Sequence, residues 1–200
     1  MHFGGAQKAG QNNVGARFSA SPSCLMTMIP RENLRLARHE YLGRRIYFVT
    51  ICTEGRRSIF QDANRATAAI ATLRKVSETM NFLVHAFCLV PDHAHILPEG
   101  KTPESDLVKF VAQWKQSTGY EFRRELPRRF WQRRFYDHVL RRAEDSDAVA
   151  WCIWMNPVRA GIVAEASVYP YSGSFTVEWP KARPAVSAWV PPRKSEEGTR

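Results

Sequence analysis

Phe82-Leu83-Val84-His85-Ala86-Phe87-Cys88-Leu89-Val90, then Pro91-Asp92, then His93-Ala94-His95-Ile96-Leu97, is the stretch that decides the fold class. Nine residues of β-branched, aromatic and aliphatic side chains have the composition of a buried strand. Pro91-Asp92 is turn chemistry, and a short run after it predicts a second strand. Strand, two-residue turn and strand together predict an antiparallel hairpin. Upstream, residues 45–52 (Arg45-Ile46-Tyr47-Phe48-Val49-Thr50-Ile51-Cys52) predict another buried strand, broken at Gly55. Asp62 stands at an N-cap position, and Ala66, Ala69, Ile70, Leu73 and Val76 follow at helical spacing, which predicts a helix over 62–80. Downstream, Leu107, Phe110, Val111, Trp114 and Thr118 predict an amphipathic helix over 105–124. Residues 130–140 predict one or two short strands. Asp145 or Ser146 is placed to cap a third helix over 147–155, and Pro157 stops it, because the residue before proline is pushed out of the helical region. The order β-α-β-β-α-β-α with a tight hairpin predicts an α+β domain, a small antiparallel sheet flanked by helices.

Composition narrows the function. The chain has 200 residues, 44% of them hydrophobic, enough for a core and too many for wholesale disorder. No apolar run approaches the roughly 20 residues that span a bilayer, so no membrane role is expected. Lys and Arg number 29 against 19 Asp and Glu, a net charge of +10, and a domain so basic seeks a polyanion. Four cysteines, none in a CxxC pair, argue against a zinc ribbon and a disulfide framework. With no continuous apolar leader segment, the expected location is cytoplasmic. Residues 1–40 read as a flexible basic tail, 41–165 as the domain, and 166–200, punctuated by Pro, Ser and Trp, as a C-terminal tail on the surface.

Three groups of residues carry chemistry. His93 and His95 alternate on a strand and therefore share a face, about 7 Å apart at the backbone, within reach of one metal ion. A pair of ordinary surface histidines gives the same pattern. Cys152 and Asn156 stand one helical turn apart. The Asn156 amide offers a hard oxygen for Mg²⁺ or Mn²⁺, although an asparagine before Pro157 also suits a helix end. Between Arg123 and Arg142 lie eight arginines, Arg123, Arg124, Arg128, Arg129, Arg133, Arg134, Arg141 and Arg142, opposed only by Glu125 and Asp137. They bracket Phe130, Trp131, Phe135 and Tyr136. Guanidinium forks bind phosphates and aromatic rings stack on bases, so the eight arginines and Trp131 are the expected DNA-binding residues.

Taken together, these segments resemble a known family. Leu89-Val90-Pro91-Asp92-His93-Ala94-His95-Ile96-Leu97 resembles the His-hydrophobic-His motif of single-tyrosine HUH transposases. Phe130-Trp131-Gln132, Tyr136-Asp137-His138, Met155-Asn156-Pro157-Val158-Arg159-Ala160-Gly161 and Tyr171-Ser172-Gly173-Ser174 resemble the REP-associated tyrosine transposases in particular. The resemblance spans about 44–174. It implies an HUH transposase-like domain with a ferredoxin-like arrangement, and one Mg²⁺ or Mn²⁺ ion held by His93, His95 and Asn156. It also implies single-stranded or hairpin DNA with palindromic stem-loops as partner, bound by a monomer or homodimer. A helix tyrosine one turn before the asparagine attacks the scissile phosphate, leaving a 5′-phosphotyrosine and a 3′-hydroxyl. That position is Cys152 here, and Ala148-Val149-Ala150-Trp151-Cys152-Ile153-Trp154-Met155 holds no tyrosine.

The substitution leaves several readings open. Cys152 can itself be the nucleophile, since a thiolate is intrinsically reactive. Tyr136 or Tyr120 can stand in for the missing phenol. A domesticated, catalytically impaired relative would only bind hairpin DNA. A metal-dependent nuclease would use water and need no tyrosine.

Overall fold

The computed structural model describes residues 38–126, 128–141, 144, 146–178 and 189–191. The interior strand β1 (Tyr47–Cys52) is buried along almost its whole length, as an apolar run covered on both faces must be. The quoted hairpin forms β2 (Phe82–Val90) and β3 (His93–Gly100), with Val90 opposite His93 and Pro91-Asp92 as the turn. β3 runs beyond the expected Leu97. Pro98 cannot donate to the ladder, and the pairing shifts register between Val84 and Ala86 opposite it, so the strand tolerates the proline and ends at Gly100.

α1 (Ala63–Thr79) starts where Asp62 accepts the backbone N–H groups of Asn64 and Arg65. α2 (Leu107–Glu121) starts where Asp106 accepts that of Lys109. Both helices lie on one face of the sheet, where Trp114 is fully buried and its indole N–H donates to the Ala69 carbonyl. Of the segment 130–140, only β4 (Tyr136–Val139) is a strand. α3 (Ser146–Trp154) covers the opposite face through Val149, Ala150 and Ile153. Asp145, offered as an alternative cap, lies outside the described residues. α3 ends at Trp154, before Pro157, as expected, but the proline does not end helical structure. It falls in the first turn of α4 (Asn156–Arg159), where the missing N–H has no helical partner to lose.

The strand order is β4-β1-β3-β2-β5, antiparallel throughout, so the expected α+β class holds. The fifth strand is an addition. β5 (Ser172–Gly173) pairs with β2, Tyr169 donates its hydroxyl to the Leu89 carbonyl at 2.7 Å, and a β-carbon at Gly173 would meet the Phe87 ring at 2.9 Å. Residues 166–178 therefore continue the sheet beyond the boundary at 165, instead of forming a loose tail. Most of the expected tail over 1–40 lies outside the described residues.

Candidate functional site

Antiparallel pairing stacks residues into rows across a sheet, and paired residues point to the same face. One row reads Ser172, Cys88, His95, Thr50 and Tyr136, from β5 through β2, β3 and β1 to β4. Its side chains face α3. Ala94, between the two histidines, points into the opposite core and is fully buried. The two-residue period thus places His93 and His95 on the α3 face, as expected.

The ring nitrogens of the pair converge. His93 Nε2 and His95 Nε2 stand 3.0 Å apart with the rings nearly perpendicular at 89°. Two adjacent ligands of an octahedral ion, each about 2.1 Å from it, are themselves separated by about 3 Å. The separation therefore fits one divalent ion. His95 Nδ1 is 2.8 Å from the buried Thr50 hydroxyl, and Phe48 stacks on the ring at 5.4 Å. Burial holds the His95 pKa well below the usual imidazole range, and His93 when protonated, Arg159 and Arg56 push the same way. A neutral imidazole is the form that binds metal.

The expected third donor, Asn156, stands on α4. The Asn156 amide nitrogen is buried with no hydrogen-bond partner, and Met155, not Asn156, is the N-cap of α4. A buried amide without a partner is costly unless something answers it, and turning the amide over presents its oxygen instead. α3 and α4 both lie against β2, and α3 also touches β3. Among the described residues no three His, Cys, Asp or Glu side chains form a metal site. Two imidazoles and an amide are a donor set compatible with such an ion.

Arg159, one turn beyond Asn156, donates to the Cys152 carbonyl at 2.5 Å. Its charge reaches both His95 and Cys88. Neither charge nor spacing had marked it out, because it stands outside the arginine run. Cys152 is half-buried on α3 and Tyr136 half-buried on β4, its ring edge-on to Phe48 at 6.1 Å. Tyr136 thus shares the histidines' face. Tyr120 does not. It belongs to α2 on the other side of the sheet and is 64% exposed, with the Arg123 guanidinium 4.0 Å over its ring.

The arginine segment divides into two sets. Arg123, Arg124, Arg128, Arg129, Arg133, Arg134 and Arg141 are exposed, and Arg142 lies outside the described residues. The aromatic residues between them turn inward. Trp131 is 2% exposed, packs against Phe60, Trp114 and Phe130, and donates its indole N–H to Thr118 at 2.7 Å. It cannot stack on a base, so its assignment to the DNA-binding set is corrected. The loop hangs on this anchor, pairs Trp131 with Thr53, and bonds Phe130 and Gln132 to Glu54 and Cys52. That carries Arg128, Arg129, Arg133 and Arg134 to the end of the sheet where β1 meets His93.

The family model described as "Transposase IS200 like" matches residues 43–148. The REP-associated tyrosine transposase of Escherichia coli (strain K12) is 26% identical over 153 residues, covering 71% of this chain and 88% of that protein. A putative REP-associated tyrosine transposase of Haemophilus influenzae is 28% identical over 152 residues, covering 68% and 82%. The solved structure of a REP-associated tyrosine transposase bound to a REP hairpin superposes with a TM-score of 0.60 at 23% identity, over 78% of this chain and 96% of that one.

Proposed function

The chain belongs to the IS200-like transposase family, with REP-associated tyrosine transposases among its relatives, and from that premise we propose that it binds stem-loop DNA and acts on the adjoining single strand by metal-assisted transesterification. The observation that carries this reading is the pair of facing Nε2 atoms 3.0 Å apart, with the orphaned Asn156 amide on the helix that packs over the same face. A Mg²⁺ or Mn²⁺ ion on His93, His95 and Asn156 would polarise the scissile phosphate. Arg159 adds a fixed positive charge beside it, where negative charge grows on the phosphate oxygens. Phe48 and Thr50 hold the His95 ring in place. The nucleophile gives up its proton and forms a bond to phosphorus, the bond from phosphorus to the 3′ oxygen breaks, and that oxygen leaves as a hydroxyl. Cys152 and Tyr136 are the candidate nucleophiles. The exposed arginines carry the hairpin's phosphates. The protein works as a monomer or homodimer in the cytoplasm, and no helix among the described residues is long and apolar enough to cross a membrane.

The test is a denaturing gel of the protein with Mn²⁺ and labelled single-stranded DNA carrying the palindromes that flank its own gene. A shifted band that survives denaturation and disappears in His93→Ala is the expected result, and peptide mapping then chooses between Cys152 and Tyr136. Shortened DNA without that band would show that water is the nucleophile. Intact DNA would leave a hairpin-binding protein, the second reading, which the cysteine at the tyrosine's position favours.

The arginines make a separate prediction. Each phosphate contact adds about 0.9 to the slope of log affinity against log salt for duplex DNA. Arg133→Ala with Arg134→Ala is expected to lower that slope by about 2, as read by fluorescence anisotropy on a labelled hairpin across a salt series. An unchanged slope would remove these residues from the DNA path.

A further inference from the structure

The Pro91-Asp92 turn suggests at first an aspartate that caps the turn or donates an oxygen to the metal. Its side chain does something else. Asp92 Oδ1 lies 2.6 Å from His93 Nδ1, and Oδ2 lies 3.0 Å from Arg56 Nε. The second guanidinium contact of Arg56 is to Cys52 Sγ, at 3.0 Å. Arg56 has a positive φ of 55°, directly after Gly55 at 65°. A side chain bearing a β-carbon rarely occupies that region, and such outliers persist where the surroundings over-determine them. Here they do. The Thr53 amide and hydroxyl both donate to the Asp92 carbonyl, at 2.9 and 3.0 Å, and the Phe60 amide donates to that of Pro91 at 3.0 Å. The turn that carries Arg56 is stitched to the turn that carries Asp92.

The two histidines have different partners. A carboxylate accepts only, so His93 Nδ1 must carry a proton to bond Asp92. In the neutral ring its Nε2 then bears a lone pair. Thr50 is a hydroxyl, which donates or accepts. At 3.0 Å the two Nε2 atoms need one proton between them, and with His93 spent on Asp92 that proton sits on His95. His95 Nδ1 then accepts from Thr50.

We propose that Asp92, held by Arg56, is a positioning residue that locks His93 with its proton on Nδ1, while Thr50 lets His95 move its proton from Nε2 to Nδ1 when a divalent ion takes both Nε2 lone pairs. The metal-free site is then already shaped for the ion, with an imidazole–imidazole hydrogen bond holding the two nitrogens together. This deepens the metal reading above and rests on it. Outer partners of this kind commonly set metal affinity by about tenfold to a hundredfold.

The test has two arms. In ¹⁵N-labelled full-length protein without metal, at pH 8, ring nitrogen shifts should place the His93 proton on Nδ1 and the His95 proton on Nε2. Mg²⁺ should move only the latter, to Nδ1. Asp92→Ala should release the His93 tautomer. A wild-type His93 protonated on Nε2 overturns the clamp, whatever the metal does. In the second arm, calorimetry with Mn²⁺ should show affinity about tenfold to a hundredfold weaker in Asp92→Ala and in Arg56→Gly. Arg56→Gly removes the guanidinium and suits the backbone angle, so its melting temperature should hold even if that of Asp92→Ala falls. Equal Mn²⁺ affinity in wild type and both variants overturns the proposal. A wild type that takes up no Mn²⁺, yet keeps His93 protonated on Nδ1, sinks the metal reading while upholding the clamp.

Discussion

Cys152→Tyr is expected to raise the initial rate of formation of denaturation-resistant protein–DNA adduct on the order of a hundredfold, equivalent to about 2.7 kcal/mol of barrier. Two physical differences drive this. The Cys152 sulfur sits one bond beyond the β-carbon of a half-buried residue on α3, whereas a phenol oxygen lies several ångströms farther from the main chain. The phenol oxygen also makes a stronger bond to phosphorus than sulfur does, so the covalent intermediate accumulates. The rest of the site stays as it was: the facing imidazoles, the Asn156 amide and the Arg159 guanidinium beside the helix. Cys152→Phe has nearly the same bulk without the hydroxyl, so it should form no adduct through position 152. The gel described above reads all three proteins with Mn²⁺. If Cys152→Tyr gives no more adduct than wild type, α3 does not present position 152 to the scissile phosphate, and the attacking group must come from β4. If wild type already forms an adduct and Tyr136→Phe abolishes it, Tyr136 is the nucleophile and the cysteine a tolerated replacement.

What the sequence made legible, and what it hid, follows from how local each cause is. The hairpin over 82–97 could be read because both strands are continuous apolar or alternating runs and the turn is two residues of turn chemistry. The shared face of His93 and His95 follows from the two-residue period alone. Asn156 could be placed one turn from Cys152, and the structure adds that its amide nitrogen has no partner. Asp92 was legible as a turn residue, but its hold on His93 depends on Arg56, whose positive φ at a non-glycine position no local pattern announces. Arg159 reaches the site only because α4 resumes after Met155, and a proline at its second position hides that. β5 was missed because two residues carry no periodicity. Its signals are Tyr169, Tyr171 and Phe175 at spacings of two and four, and a glycine fitted against Phe87. Aromatic residues among arginines look the same whether they face bases or the core. Only the long-range packing under the loop decides between the two.

Trp131→Ala makes that last ambiguity measurable, and its expected effect on stability is large. The side chain is 2% exposed among Phe60, Trp114 and Phe130. Truncating a buried tryptophan leaves a cavity and costs about 3–5 kcal/mol. The Thr118 hydroxyl, which accepts the indole N–H at 2.7 Å, keeps a partner of its own in the Trp114 carbonyl, so the loss there is modest. A chain of this size loses roughly 2–4 °C of melting temperature per kcal/mol, so a fall of about 10 °C is expected by calorimetry. Trp131→Phe refills most of the space and should recover the greater part of it. The consequence for DNA is indirect. The loop that displays Arg128, Arg129, Arg133 and Arg134 is held by this ring and by main-chain bonds to Cys52 and Glu54. Freeing it makes hairpin binding bear the entropy of ordering the loop, without removing a single phosphate contact. Affinity should therefore fall while the salt slope keeps its wild-type value, the opposite signature from Arg133→Ala with Arg134→Ala. If Trp131→Ala melts like wild type and loses affinity only for DNA with unpaired bases, the ring is a stacking platform after all, and the arginine loop must open when it meets DNA.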